Sequence, residues 1–130
     1  MLREAPDLMH QAVQFRNIMS QPVGAYTPAI ADKQLTLISE EYKELIEALD
    51  EACAFIQNPH AREDALKELA DLVYVCFQLA AACGWELDEA LDRVHQSNLS
   101  KLVDGKPLKR EDGKVLKGPN YKPPYLQDLV

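Results

Sequence analysis

The stretch of sequence that decides the fold is residues 68–84, ELADLVYVCFQLAAACG. Between residues 72 and 83, Gln78 alone interrupts the apolar run. The run is shorter than the ~20 apolar residues that a membrane-spanning helix needs, and apolar side chains nearly all round are typical of a buried helix. Gly84 is a natural C-cap, because glycine adopts the left-handed conformation without steric cost. We therefore expect a buried helix here and no membrane partner.

Three further helices are predicted around this one, from apolar residues at helical spacing. The second should end before Pro59, because the residue before a proline disfavours the helical conformation. Asp88 is expected to cap the fourth helix, and residues 20–31, with two prolines and a glycine, are expected to form a loop. The four predicted helices cover residues 7–19, 32–57, 60–83 and 88–102. The expected fold class is all-α, a four-helix bundle.

The last part of the chain differs in composition from the helices. Residues 103–130 hold four of the eight prolines and three of the five glycines, and Asp112-Gly113 is typical of a hairpin turn. We expect residues 1–102 to form the helical domain and residues 103–130 to be an irregular tail of the same domain, since 130 residues suit one domain.

Charge is distributed unevenly between these two parts. The net charge is -7, which argues against a general nucleic-acid binder. The tail holds six basic and four acidic residues, whereas residues 1–102 hold eight basic and seventeen acidic ones. An acidic body suits a metal ion, and a basic tail suits phosphate. Three cysteines without a C-x-x-C spacing, and no apolar signal segment at the N-terminus, favour a cytoplasmic protein with reduced thiols.

Two carboxylate motifs stand within the predicted helices, Glu40-Glu41-x-x-Glu44 in the second and Glu68-x-x-Asp71 in the third. At about 100° per residue, Glu41 falls inside the apolar face of its helix, with Glu40 and Glu44 at the edge. Glu68 falls on an apolar strip of the third helix, and Asp71 lies on nearly the same face. Such spacing is common on solvated helix faces, but these acids lie among apolar residues.

Neither motif has a basic residue at the right spacing on its own face, and we expect Lys43 and Lys67 to point elsewhere. An unpaired buried carboxylate costs several kcal/mol unless its pKa shifts until it is neutral. A cation between the two helices would remove this cost. Ligands that are all oxygen favour Mg²⁺, with Mn²⁺ possible, because zinc prefers His or Cys.

The residues of both motifs, Ser39 to Glu44 and Lys67 to Val73, resemble the all-α nucleoside triphosphate pyrophosphohydrolase superfamily. That group includes MazG, the dimeric dUTPases, the dCTP pyrophosphatases and phosphoribosyl-ATP pyrophosphatase. Residues 95–101 and 112–121 resemble a MazG-like subgroup related to dUTP-preferring enzymes. The resemblance implies hydrolysis of a nucleoside triphosphate between its α and β phosphates, with dUTP as the first candidate substrate and a homodimer or homotetramer as the assembly.

The resemblance also implies roles for particular residues. Glu41 and Glu40 are the expected catalytic residues, and Glu40 would orient or deprotonate the attacking water. The expected metal ligands are Glu41, Glu44, Glu68 and Asp71. The expected substrate-binding residues are Asn98, Lys101, Lys114 and Tyr121. Two alternatives stay open, a phosphoribosyl-ATP pyrophosphatase of histidine synthesis and a non-catalytic helical oligomerisation module.

Overall fold

A computed structural model describes residues 4–130, and its fold class is all-α, as predicted. Four α-helices are followed by a two-stranded hairpin and a short 3₁₀ turn. The elements are α1 (Leu8–Ile18), α2 (Pro28–Ala54), α3 (Pro59–Cys83), α4 (Leu87–Leu99), β1 (Leu108–Lys109), β2 (Val115–Leu116) and the 3₁₀ turn η1 (Gln127–Leu129). In this part of the chain, no helix has both the length and the apolar composition that crossing a membrane requires.

The bounds of α2 differ from the prediction at both ends. The helix begins at Pro28 because Thr27 caps it, with the Thr27 hydroxyl accepting a hydrogen bond from the Ile30 amide at 3.2 Å. Proline suits the first helical position, where its missing N–H has no partner to lose. At the other end, α2 stops at Ala54, and Asn58 caps α3 by accepting from the His60 amide at 3.0 Å.

The predicted cap of α4 was wrong. Glu86 occupies the cap position and makes no side-chain hydrogen bond there, while Asp88 lies in the first turn. A carboxylate in the first turn faces the positive end of the helix dipole, which is a favourable place for it. The predicted hairpin is confirmed, with Leu108 opposite Leu116 and Gly113 in the left-handed region at φ 87°.

The chain divides into two compact units, the first ending at Trp85 and the second running from Glu86 to Val130. The division therefore groups α4 with the tail, and the prediction that residues 103–130 belong to the same domain as the helices stays a prediction. In the first unit, α3 packs against both α1 and α2. Its core is built largely from alanines, including Ala12, Ala61 and Ala65 and residues 80–82, together with Phe77.

Helix α3 is buried over only part of its length, so the expectation of burial on all sides was wrong for its first half. Residues 80–83 and Phe77 are buried, as the apolar run predicts. In contrast, Leu69 is 45% exposed and Val73 is 42% exposed. Helix α2 leaves large apolar side chains exposed in the same way, Leu35 and Leu49 among them. In the described part of one chain, these side chains are left uncovered.

In the second unit, an ion pair joins α4 to the 3₁₀ turn η1. Arg93 donates to both carboxylate oxygens of Asp128, at 2.6 and 3.0 Å, and to the Tyr125 carbonyl at 2.9 Å. Nearer the end of α4, the Ser97 hydroxyl donates to the Lys122 carbonyl at 2.7 Å. The hydrogen bonds from Arg93 hold the pKa of Asp128 below its ordinary value.

Asp128→Asn is expected to lower the melting temperature at neutral pH by a few degrees. Because Arg93 lowers the folded-state pKa of Asp128, the stabilisation is present above the unfolded pKa and is lost as pH falls through the folded value. Thermal denaturation should thus separate the two proteins at neutral pH and bring them together in strong acid. Asp92→Asn, an exposed change on the same helix, is the control. Equal melting of wild type and Asp128→Asn at neutral pH would contradict the prediction.

Candidate metal centre

Three of the predicted carboxylates come together in the first unit. Glu41 and Glu44 on α2 and Glu68 on α3 each offer an oxygen atom, and these atoms all lie within 4.8 Å of one another. The spacing of three residues puts Glu41 and Glu44 on one face of α2, and the packing of α2 on α3 brings Glu68 opposite them. Glu41 and Glu68 are half-buried, and Glu44 is exposed. This arrangement joins the two sequence motifs in one cluster.

The cluster is short of positive charge and of hydrogen-bond donors. One carboxylate oxygen of Glu41 and one of Glu68 are buried without a hydrogen-bond partner among the described residues. Burial raises the pKa of Glu68, and the neighbouring Glu44 raises it further, while the Lys67 ammonium acts in the opposite direction. A buried oxygen that accepts nothing is costly. A hard divalent cation would satisfy these oxygens, so the donor set fits Mg²⁺ or Mn²⁺.

The position of Lys67 differs from the prediction that this lysine points away from the carboxylates. Its ammonium nitrogen lies 2.6 Å from a carboxylate oxygen of Asp71 and 3.6 Å from one of Glu68. Lys67 and Asp71 are four residues apart and so share a face of α3, and the long side chain reaches back to Glu68 as well. The expectation that Lys67 points elsewhere was therefore wrong. Its side chain is 67% exposed, and exposed pairs of this kind exchange readily with water and other ions.

The remaining predicted residues fall outside the cluster. Asp71 is engaged by Lys67, and Glu40 is exposed, so their roles as ligand and as catalytic residue stay predictions. The predicted substrate-binding residues all belong to the second compact unit. There the Lys117 ammonium lies 4.7 Å from the centre of the Tyr121 ring, and the Lys114 amide donates to Asp112 at 3.1 Å. Roles for Asn98, Lys101, Lys114 and Tyr121 likewise stay predictions.

Sequence reasoning missed a set of buried polar side chains in the first unit. Arg16 on α1, Gln34 on α2 and Gln78 on α3 are each 4% exposed or less. The signal was present for Arg16, which follows Ala12 by four residues and therefore stands on the buried stripe of α1. Gln78 was visible as the one polar residue in the apolar run of α3.

Comparison with known proteins agrees with the geometry. Residues 4–98 match the family model described as phosphoribosyl-ATP pyrophosphohydrolase, a range that contains both carboxylate motifs. The phosphoribosyl-ATP pyrophosphatase of Rhodopirellula baltica is 35% identical over 100 residues, which cover 72% of this chain and 79% of that protein. The resemblance to the all-α pyrophosphohydrolase superfamily is confirmed, and the protein is an enzyme, a pyrophosphatase that acts on acid anhydrides. The chain belongs to the phosphoribosyl-ATP pyrophosphohydrolase family.

Proposed function

We propose that this protein hydrolyses phosphoribosyl-ATP between its α and β phosphates, giving phosphoribosyl-AMP and pyrophosphate. Water adds its oxygen to phosphorus, the anhydride P–O bond breaks, and the bridging oxygen leaves with its electron pair. The observation that carries the proposal is the cluster of Glu41, Glu44 and Glu68 with two buried oxygens lacking partners. The family match and the relative's activity favour phosphoribosyl-ATP, the alternative substrate, over dUTP.

In this mechanism Glu41, Glu44 and Glu68 would hold Mg²⁺, or Mn²⁺ in its place. When bound, the cation neutralises triphosphate oxygens and acidifies a water molecule. Glu40, exposed beside Glu41 on α2, would orient that water or take its proton. Asp71 would join as a fourth ligand once Lys67 turns away, and the exposure of Lys67 makes that exchange easy. The released Lys67 ammonium is then free to face a phosphate.

The end of α4 and the tail that follows it are assigned to substrate binding in the same proposal. Asn98 offers an amide, and Lys101 and Lys114 offer positive charge for phosphate oxygens. Tyr121 would contribute ring surface. The excess of basic residues in the tail supports the assignment of Lys114. The three cysteines are free thiols, as the reducing cytoplasm favours, and we place the enzyme there.

Pyrophosphate release over a panel of nucleotides is the test of this function. Phosphoribosyl-ATP, ATP, dUTP and dCTP should each be assayed with Mg²⁺, with Mn²⁺ and with a chelator. The expected result is turnover of phosphoribosyl-ATP that requires the cation. Turnover of dUTP without turnover of phosphoribosyl-ATP would overturn the substrate assignment. No turnover of any substrate, with no thermal stabilisation by either cation, would favour a non-catalytic helical module.

The exposed apolar side chains of α2 and α3 support a homodimer or homotetramer. Isolated apolar side chains are normal on a protein surface, but contiguous ones mark an interaction site. Here they follow two long helices of the unit that contains the metal centre. They include Leu35 and Leu49 on the second helix, Phe55 and Ile56 directly after it, and Leu66, Leu69 and Val73 on the third.

Leu66→Glu is expected to convert the oligomer to monomer in analytical ultracentrifugation. Burying an unpaired carboxylate from each copy in the interface costs several kcal/mol. Because about 1.4 kcal/mol corresponds to a tenfold change in Kd, association should weaken by at least about a hundredfold. Val130→Glu, at a side chain that is 75% exposed at the end of the chain, is the matched control. A wild-type protein that sediments as a monomer would contradict the proposed assembly.

A further inference from the structure

Arg16 is a buried cation without an acidic partner. It is 3% exposed, and no carboxylate in residues 4–130 forms an ion pair with it. Its Nε donates to the Pro22 carbonyl at 2.6 Å, and one terminal nitrogen donates to the Gln78 side-chain oxygen at 3.3 Å. Burial lowers the pKa of Arg16, with Cys83 acting in the opposite direction, yet arginine stays protonated in proteins. The two neutral acceptors leave its positive charge without a counter-ion.

A cavity lies against this guanidinium, with a volume of about 260 Å³. Lys33 and Gln34 of α2 line it together with Arg16. Gln34 is 4% exposed, and its side-chain oxygen is buried without a hydrogen-bond partner. Since one water molecule takes about 30 Å³ of liquid volume, the cavity is larger than a single ordered water requires. The cavity therefore combines two positive side chains with the Gln34 amide, whose unpaired oxygen is an acceptor, so binding of an anion depends on Arg16 and Lys33.

The position of the cavity relates it to the metal centre. Gln34 and Glu41 are seven residues apart on α2, which is about two helical turns or about 10 Å along one face. Both places belong to the first compact unit. One face of α2 thus presents an acidic cluster and, two turns away, a cationic cavity. A ligand that reaches both the acidic cluster and the cavity must carry a group that binds the metal cation at one end. At its other end it must carry an anionic group for the positive side chains of the cavity.

The geometry points to the cavity of Arg16, Lys33 and Gln34 as a subsite for the phosphate monoester at the phosphoribosyl end of the substrate. The inference rests on the proposed function for the identity of that substrate. A phosphate monoester near neutral pH carries a charge of about -1.5 to -2 and suits the fork of a guanidinium. The Lys33 ammonium adds a second charge at the rim. A nucleotide without this second phosphate has nothing to place in the cavity, so the subsite selects for phosphoribosyl-ATP.

Direct binding tests the subsite apart from catalysis. Isothermal titration of phosphoribosyl-AMP and of AMP into the full-length protein, both with chelator, compares two ligands that differ by the phosphoribosyl group. Phosphoribosyl-AMP is expected to bind about tenfold more tightly than AMP, because its second phosphate can form hydrogen bonds with charged groups of the cavity that AMP cannot form. Equal affinity for the two ligands would overturn the inference. If phosphoribosyl-ATP is not hydrolysed, the proposed function fails while this comparison still decides the subsite.

Lys33→Ala should raise the KM for phosphoribosyl-ATP about fivefold more than it raises the KM for ATP. A fivefold change is the upper end of what one exposed ion pair contributes to binding. Lys43→Ala is the matched control, because Lys43 is exposed on the same helix and lies outside the cavity. A change in kcat alone, or an equal change in KM for both substrates, would contradict a role in holding the remote phosphate.

Gln34→Glu separates a ligand site from a merely structural arginine. The new carboxylate would pair with Arg16 and occupy the place of the phosphate, so the melting temperature should rise while the preference for phosphoribosyl-AMP over AMP disappears. A structural role for Arg16 predicts the rise in melting temperature with the preference intact, and that outcome would overturn the inference. This variant avoids replacing Arg16, whose loss would break the contacts with Pro22 and Gln78.

Discussion

Glu68→Gln is expected to reduce pyrophosphate release about a thousandfold while making the metal-free protein more stable. The loss of activity follows because a bound cation contributes several kcal/mol to the reaction and each 1.36 kcal/mol is about tenfold in rate. Glutamine keeps the shape of the side chain but offers a weaker, neutral ligand. Release of pyrophosphate from phosphoribosyl-ATP measures the first effect, and thermal denaturation with chelator measures the second.

The gain in stability follows from the sign of the pKa shift. Burial and Glu44 raise the pKa of Glu68, so the folded protein holds this proton more tightly than the unfolded chain does. The contribution of Glu68 to stability is complete below its unfolded pKa and is lost as pH rises through the folded value. At neutral pH the ionised carboxylate therefore destabilises the metal-free protein. The difference between wild type and Glu68→Gln should vanish in acid, below the pKa of this carboxyl in the unfolded chain.

Added Mg²⁺ should reverse the order of the two proteins. A ligand that binds only the folded state stabilises it by mass action, by about 2.7 kcal/mol when its free concentration is about 100 times Kd. Wild type should gain this stabilisation, and Glu68→Gln should gain little of it. Glu47→Gln, at an exposed acid of α2 that lies outside the cluster, is the control and should behave as wild type. Full activity in Glu68→Gln would show that the carboxylate cluster takes no part in the reaction.

Helical periodicity was sufficient to place each carboxylate motif on an apolar helix face, because a face depends on side-chain direction alone, whereas the packing of α2 on α3 joins the two motifs. Glu41 and Glu68 were placed on apolar faces by the 100° rotation per residue, and the structure brings their oxygens together. The helix ends were less predictable, since a cap depends on local hydrogen bonds. Thr27 followed by Pro28 is a cap followed by a first helical residue, yet proline also occurs in loops.

The role of Lys67 required three-dimensional information. Its spacing from Asp71 permitted an ion pair, but the contact with Glu68 depends on how a long, flexible side chain settles. The cavity at Arg16 was still harder to foresee, because its lining residues come from α1, α2 and the loop between them. Periodicity describes one helix at a time. It identified residues that share a face and could not identify residues that different elements bring together.

Gly84→Ala is expected to lower the free energy of unfolding by about 2–3 kcal/mol. Gly84 ends α3 in the left-handed region at φ 76°, where a residue with a Cβ costs about 1–2 kcal/mol. A Cβ at this position would also lie 3.0 Å from the Gly24 Cα, closer than neighbouring atoms normally approach. At about 4–8 °C per kcal/mol for a unit of this size, the melting temperature should fall by at least about 8 °C.

The consequences of Gly84→Ala should extend from stability to the site. The loop at Gly24 is held to the end of α3 by hydrogen bonds from the Gly24 and Ala25 amides to the carbonyls of Ala81 and Ala82, at 3.0 and 2.8 Å. Two residues earlier in this loop, the Pro22 carbonyl accepts from Arg16. Displacing the loop would loosen the Arg16 cavity while leaving Glu41 and Glu68 in place, so KM should rise more than kcat falls. Gly113→Ala is the matched control, because Gly113 has a similar φ of 87° and open space around it. If the two variants melt alike, backbone conformation alone explains the loss, and the close approach of Gly24 contributes nothing.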